Sequence, residues 1–236
     1  VPEAIAHAVG GDVRKALGLL ESAFFASGES IELSVAGELA VNAGMRFDRS
    51  GDGHFDCLSA LHKSVRGSDP HAAVHYLCRA LEGGDLLAAC RRLLCIASED
   101  IGLACPIAVA VVNACVESAT RIGMPEARLP LAEAAIYLAT LPKSNSSMEA
   151  YNRALADLNA GLAGSVPRHL QNVHADSEGE QRAQGYKYPH SYPGHYVKQQ
   201  YLPDGLKDRI YYEFGDNKTE RIAEEYHRRL TGGKDD

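Results

Sequence analysis

The sequence lacks the features that mark membrane, secreted and zinc-binding proteins. Its longest apolar run, IAVAVV at 107–112, is far too short to cross a bilayer, and no signal-peptide pattern opens the chain. The cysteines form no CxxC pair and show no zinc-ligand spacing. We therefore expect reduced thiols packed among apolar residues of a cytoplasmic protein that contacts no membrane.

The recognisable motifs of catalysis are missing as well. There is no phosphate loop of the form GxxxxGK(S/T), no GxGxxG turn, no GxSxG and no HExxH. The residues alone therefore indicate no enzyme class, and we expect this chain by itself to hold no metal or cofactor. Because it opens in the middle of a helical pattern without an initiator Met, we expect it to be part of a longer protein.

An excess of basic residues is also lacking. The formal net charge is −7, which argues against a general basic coat for nucleic acid but leaves a local basic face open. With 236 residues and 45% hydrophobic composition, the chain is long enough to bury a proper core in one large or two ordinary domains.

What the sequence does contain is helix after helix. From about residue 55 to 162, apolar residues recur every three or four positions, and Gly or Pro separates segments of similar length. Asp69-Pro70 has the cap and first residue of a helix start, and Pro106 and Gly123 bound another segment. Short connections between such segments predict antiparallel neighbours in an all-α helical bundle.

The pattern changes near residue 165. Residues 165–214 are rich in tyrosine and contain four prolines, which predicts a long irregular segment. A last helix is expected in NKTERIAEEYHRRL, 217–230, where Glu224 and Arg228 are spaced to pair across one turn.

The first candidate binding residue lies in GGDVRKALGLLE, 10–21. Asp12 is placed to cap a helix, and Arg14 lies near the start of that helix. A rigidly held guanidinium there is a good phosphate ligand. Arg14 can equally project into water or pair with an acidic neighbour, and the spacing alone favours that alternative.

A second group lies in RRLLCIASEDIGLACP, where Arg91 and Arg92 are followed by Glu99 and Asp100. A carboxylate pair can hold a metal or act in acid–base chemistry. We favour a structural role, in which the two acids cap a helix and pair with an arginine.

A third candidate is Lys143, in LPKSNSSMEAY. It precedes a helix start, where the geometry favours anions. Ser144 and Asn145 are explained equally well as ordinary helix caps.

The most unusual stretch is GYKYPHSYPGHYVKQQYLPDGL, 185–206, which we call the ribbon. Its tyrosines could stack unpaired bases while lysines neutralise phosphate, and its two histidines form a weak metal-binding pair. Alternatively the ribbon is a strap whose tyrosine rings are buried against the helices, as at an oligomer interface. The sequence favours the strap. Together with Arg91, Arg92 and Lys143, the candidate DNA or interface contacts are Tyr186, Lys187, Tyr188, His190, Tyr192, His195 and Tyr196.

These stretches, in this order, resemble one AAA+ ATPase family, the bacterial replication-associated recombination protein A (also called MgsA) with its eukaryotic relative, the Werner helicase-interacting protein. The resemblance covers most of residues 10–206. It rests on GDVRKALGLLE, GDGHFDCLSALHKSVRGSDPHAAVHYLCRALEGG, CRRLLCIASEDIGLACP, IGMPEARLPLAEAAIYLATLPKSNSSMEAY, SVPRHLQN and the ribbon.

The resemblance implies that residues 1–48 are the end of an AAA+ helical lid, with Arg14 as the sensor-2 arginine that reaches nucleotide phosphates. Residues 49–236 would be the C-terminal helical domain, which includes the irregular segment 165–214 and assembles a homotetramer. The ATPase core, with its ATP and Mg, would lie upstream.

The family function implied is DNA-dependent ATP hydrolysis in replication-fork maintenance and recombination. Its partners would be single-stranded DNA ends, forks and single-strand-binding protein, in the cytoplasm at the nucleoid. This chain would supply the lid end and tetramerisation rather than catalysis. The alternative function is a single-stranded nucleic-acid-binding module that uses the ribbon.

Overall fold

The computed structural model describes residues 5, 13–27, 30–32, 34, 35, 52–171 and 185–232. Regular structure in these residues is helical throughout, which confirms the predicted all-α class. The eight α-helices of this part of the chain are α1 Val13–Ser27, α2 Asp52–Arg66, α3 Pro70–Glu82, α4 Leu86–Ile96, α5 Ala108–Ile122, α6 Arg128–Thr140, α7 Ser146–Asn159 and α8 Lys218–Thr231. None of these helices is both long and apolar enough to span a membrane.

The chain divides into two compact units. The first comprises residues 1–97 and 107–141, and the second comprises residues 98–106 and 142–236. The first unit therefore contains α1 to α6, and the second contains α7 and α8. The predicted domain boundary between residues 48 and 49 lies outside the described residues and stays a prediction.

Helix α6 is the centre of the first unit, since α2, α3, α4 and α5 all pack against it. Its sequence RLPLAEAAIYLAT is apolar around most of its circumference, as a helix surrounded by other helices requires. The small side chains among its buried residues allow neighbouring helix axes to approach closely. Those buried residues are Leu131, Ala134, Ala135, Leu138 and Ala139.

Most predicted helix ends agree with the structure. The Asp69 carboxylate caps α3 by accepting a hydrogen bond from the Ala72 N–H at 2.9 Å. Gly123 follows the last residue of α5 as expected. The expected start of α5 at Pro106 is wrong by two residues, because residues 106 and 107 form a turn and the helix begins at Ala108.

The second unit contains much less regular structure. After one π-helical turn, Ala97–Ile101, the 3₁₀ turn Gly102–Ala104 packs against both α7 and α8. The Thr219 hydroxyl of α8 donates to the Ala104 carbonyl at 2.8 Å. The predicted irregular segment is confirmed in its described parts, residues 165–171 and 185–214, where the regular structure is limited to short 3₁₀ turns.

Candidate functional sites

Arg14 is the second residue of α1, in the first helical turn. Its backbone therefore lies where the free N–H groups of a helix start favour anions. The side chain of Arg14 and the expected cap Asp12 lie outside the described part of the chain. The sensor-2 assignment therefore stays a prediction.

Arg91 and Arg92 lie on α4 in the first unit, and the structure separates their roles. Arg91 is exposed, whereas Arg92 is half-buried with its Nη1 atom 3.2 Å from Nδ1 of His62. His62 is buried on α2, and its Nε2 atom lies 3.1 Å from Nη2 of Arg66. A buried imidazole between two guanidinium groups was not foreseen from the sequence. Arg92 therefore has an internal contact within the first unit.

Glu99 and Asp100 lie inside the π-helical turn of the second unit. Asp100 is buried, and its backbone carbonyl accepts a hydrogen bond from the Ser144 N–H at 2.7 Å. Burial lowers the pKa of Lys143, while the negative charge of Asp100 raises it in partial compensation. The structure therefore brings Asp100 and Lys143 together, and the expected role of the acids as caps stays a prediction.

The most densely hydrogen-bonded group in the described part of the second unit is the carboxylate of Glu220, which was not predicted from the sequence. This side chain is only 1% exposed. One carboxylate oxygen accepts hydrogen bonds from the Ser146 hydroxyl at 2.5 Å, the Tyr212 hydroxyl at 2.9 Å and the Gly215 N–H at 3.0 Å. The other accepts from the Asn217 side-chain amide at 2.5 Å. We call Glu220 and these four partners the carboxylate hub.

The hub stabilises the charged form of Glu220. Burial alone would raise the pKa of Glu220, but the hydrogen bonds from Ser144, Ser146, the Gly215 N–H and Asn217 together lower it to about 2. Burial and the hydrogen bond to Glu220 raise the pKa of Tyr212 to about 12. The carboxylate is therefore ionised and the phenol neutral over the whole physiological range.

The hub connects parts of the chain that are far apart in sequence. Ser146 begins α7, Tyr212 and Gly215 precede α8, and Glu220 lies in the first turn of α8. A Cβ atom on Gly215 would lie only 2.5 Å from the Glu220 carboxylate, so this position needs glycine. The sequence signal for the hub was the Asn217-x-x-Glu220 spacing, which is that of a capping box.

The ribbon has a defined framework of hydrogen bonds. The Lys187 N–H donates to Oε1 of Gln199 at 3.2 Å, and Nε2 of Gln199 donates to the Lys187 carbonyl at 2.8 Å. The same Gln199 nitrogen donates to the Tyr201 hydroxyl at 2.8 Å. Gln199 therefore ties the two ends of the ribbon to each other.

Three aromatic side chains of the ribbon lie together, and we call them the ring cluster. The ring centroids of Tyr188 and His190 are 5.2 Å apart, and those of His190 and His195 are 5.0 Å apart. His195 has a φ of 56°, a left-handed conformation that is uncommon for a residue with a side chain. The backbone therefore adopts a costly conformation where it places this ring.

One part of the strap prediction is wrong for the single chain. The side chains of Tyr186, Tyr188 and Tyr192 are 47%, 58% and 39% exposed, so their rings are not buried. Tyr196 is half-buried, and Lys187 is exposed. The tyrosine content of the ribbon did not show which rings the chain itself would cover.

Two known protein families match successive parts of the chain. Residues 67–231 match the family described as MgsA AAA+ ATPase C terminal, and residues 1–66 match the AAA C-terminal domain family. The chain belongs to the MgsA family of AAA+ ATPases. This confirms the resemblance drawn from the sequence.

Individual relatives are similar to this chain over most of its length. Replication-associated recombination protein A of Bacillus subtilis is 50% identical over 218 residues, which cover 89% of this chain and 52% of the relative. The protein of the same name from Escherichia coli K12 is 39% identical, with 89% and 49% covered. ATPase WRNIP1 of Dictyostelium discoideum is 35% identical over 181 residues, with 75% and 21% covered. The chain thus spans about half the length of the bacterial relatives.

Proposed function

We propose that this chain is the C-terminal part of a DNA-dependent AAA+ ATPase that acts in replication-fork maintenance and recombination. It supplies the end of the nucleotide-binding lid and the means of homotetramerisation, while an upstream core hydrolyses ATP. The observation that carries this proposal is the order of the two family regions, with Arg14 at the start of α1 in the first of them. The parent protein would act in the cytoplasm at single-stranded DNA ends and forks, with single-strand-binding protein as a partner.

The position of Arg14 in the sequence of α1 supports its assignment to an ATP site. An arginine in the first turn of a helix suits a phosphate group, because its charge adds to that of the helix N-terminus. The sequence has no phosphate loop, so the groups that hold Mg and most of the nucleotide belong to the proposed upstream core.

The test of the lid assignment is replacement of Arg14 in the protein that joins this chain to its ATPase core. A charged hydrogen bond to phosphate contributes about 1.5–3 kcal/mol, so R14A should lower kcat/KM for ATP by roughly 10- to 100-fold. The matched control is K15A, which removes the same charge from the neighbouring position and should change kcat/KM less than twofold. Equal losses in the two variants would contradict a specific role for Arg14.

The ribbon supports a second candidate function, binding of single-stranded nucleic acid. The observation that favours it is the exposure of three tyrosine rings and of Lys187 within this one segment. Stacking of a base on an aromatic ring is tolerant of sequence, and a nearby lysine neutralises phosphate. The net charge of −7 predicts weak binding that falls steeply with salt.

This function is tested by fluorescence anisotropy with a labelled oligothymidine at two salt concentrations. Stacking contributes about 1–3 kcal/mol per base, so Y188A should weaken binding by roughly 5- to 100-fold. The matched control is Y226A, since Tyr226 is 60% exposed on α8 and lies outside the ribbon. Unchanged binding in Y188A would contradict base stacking on Tyr188.

A further inference from the structure

Helix α7 of the second unit has no buried residue, although its sequence is amphipathic. Tyr151, Leu155 and Leu158 are 70%, 40% and 57% exposed. At 3.6 residues per turn, these three positions fall within about 60° of one another around the helix. They form one continuous apolar face, which we call the α7 stripe.

The opposite face of α7 is occupied by polar contacts within the chain. Arg153 donates to the Tyr211 carbonyl at 3.2 Å and to the Glu213 carboxylate at 2.8 Å. Asp157 accepts hydrogen bonds from Arg209 at 3.0 Å and from the Tyr211 hydroxyl at 2.9 Å. These anchors lie about 150° from the centre of the stripe, so they fix α7 with the stripe facing outward.

The C-terminal end of α7 is fixed as well. Gly161 has a φ of 79°, its N–H bonds to the Leu158 carbonyl at 3.0 Å, and the Leu162 N–H bonds to the Asp157 carbonyl at 2.9 Å. This is the glycine-ended turn that commonly terminates helices. The stripe therefore belongs to a helix whose end and rear face are already ordered, which reduces the entropy lost on association.

No charge lies on the stripe side of α7. The three charged residues of this helix, Glu149, Arg153 and Asp157, all fall on the opposite side. A twofold contact places the same face of both copies against each other. Because this face carries no charge, the two copies would meet there without like-charge repulsion. A strongly charged partner would gain no complementary contact there.

The sequence of segment 172–184 offers little apolar surface that could cover the stripe. It contains one large apolar residue, Val173, among four charged residues, Asp176, Glu178, Glu180 and Arg182.

We propose that the α7 stripe is the apolar centre of a twofold contact with the α7 stripe of a second copy of this chain. The proposal rests on the proposed homotetramer and assigns it a surface. Three side chains fill only part of the roughly 800 Å² per partner that a stable interface buries, so a polar rim surrounds them.

The contact is tested by light scattering of the 236-residue chain, whose single-chain mass is 25.4 kDa. The wild-type chain should have about four times this mass. Replacing Leu158→Glu or Leu155→Glu should reduce the mass to half or to a single chain. The matched control is L87E, because Leu87 is 59% exposed on α4 of the first unit and should leave the mass unchanged. Circular dichroism establishes that each variant keeps its helical content.

The outcomes separate this proposal from the homotetramer itself. A wild-type chain that is monomeric overturns both. A wild-type tetramer that persists in both stripe variants, or that L87E breaks equally, overturns only the stripe assignment. As a second readout, a photo-crosslinking amino acid at Tyr151 is used in a mixture of ¹⁴N- and ¹⁵N-labelled chains. Mixed-isotope crosslinks between α7 peptides support the twofold contact, and mixed-isotope crosslinks confined to another surface overturn it.

Discussion

The two units of this chain are stabilised in different ways. The first buries apolar side chains of α2, α3, α4 and α5 against those of α6, and its fully buried large residues include Leu61, Leu93 and Leu138. The second buries few apolar residues among those that the structure describes, and it organises two helices and several turns around hydrogen-bonded side chains, above all Glu220. Stabilisation by apolar burial is non-directional and does not change with pH. Stabilisation by a buried carboxylate depends on the geometry of its hydrogen bonds and on the pH, which sets its charge.

The largest expected effect is loss of the Glu220 carboxylate, which is the common acceptor of the hub. E220A should lower the free energy of unfolding of the second unit by about 4 kcal/mol, because several buried donors lose their acceptor together. Hydrogen exchange followed by mass spectrometry should show faster exchange in peptides from α7 and α8. The matched control is E224A on the same helix, where an exposed pair with Arg228 is lost and about 0.5 kcal/mol is expected. Equal effects would show that burial of Glu220 adds nothing.

The corresponding change in the first unit is L93A, which removes a fully buried side chain from α4. It should cost about 3 kcal/mol through lost burial and the cavity that remains. The measurement is urea unfolding by circular dichroism. L87A on the same helix is the control, since Leu87 is 59% exposed and should cost less than about 0.5 kcal/mol. A small effect of L93A would mean that the first unit also depends mainly on polar contacts.

These differences explain which features the sequence predicted. The helices, the cap at Asp69 and the ion pair of Glu224 with Arg228 were predictable because each depends on residues within one turn. Glu220 carries a local capping signal as well, but its partner Ser146 is 74 positions away. Sequence spacing does not show that Ser146 and Glu220 come into contact. It also does not show which tyrosines of the ribbon the chain itself covers.

Acid should affect the second unit through Glu220. The folded pKa of about 2 lies below the ordinary value of 4.5, so the ionised form is stabilised by folding. This contribution is fully present above about pH 4.5 and is lost as the pH falls toward 2, with about 2 kcal/mol lost by pH 3. The measurement is urea unfolding of wild type and E220Q between pH 7 and 3. The gap in stability between them should shrink by this amount, and a constant gap would contradict the low pKa.

The smallest expected effect concerns the Asp157 contacts, which tie α7 to residues 209 and 211. The Asp157 side chain is only 16% exposed, whereas its ion-pair partner Arg209 is half exposed. D157N keeps an oxygen that accepts from the Tyr211 hydroxyl but loses the ion pair, so it should cost about 1 kcal/mol in urea unfolding. The control is E117Q in the first unit, which removes an exposed pair with Arg121 and should cost about 0.3 kcal/mol. If D157N costs no more than E117Q, partial burial does not strengthen the polar ties of the second unit, and Glu220 alone distinguishes it from the first.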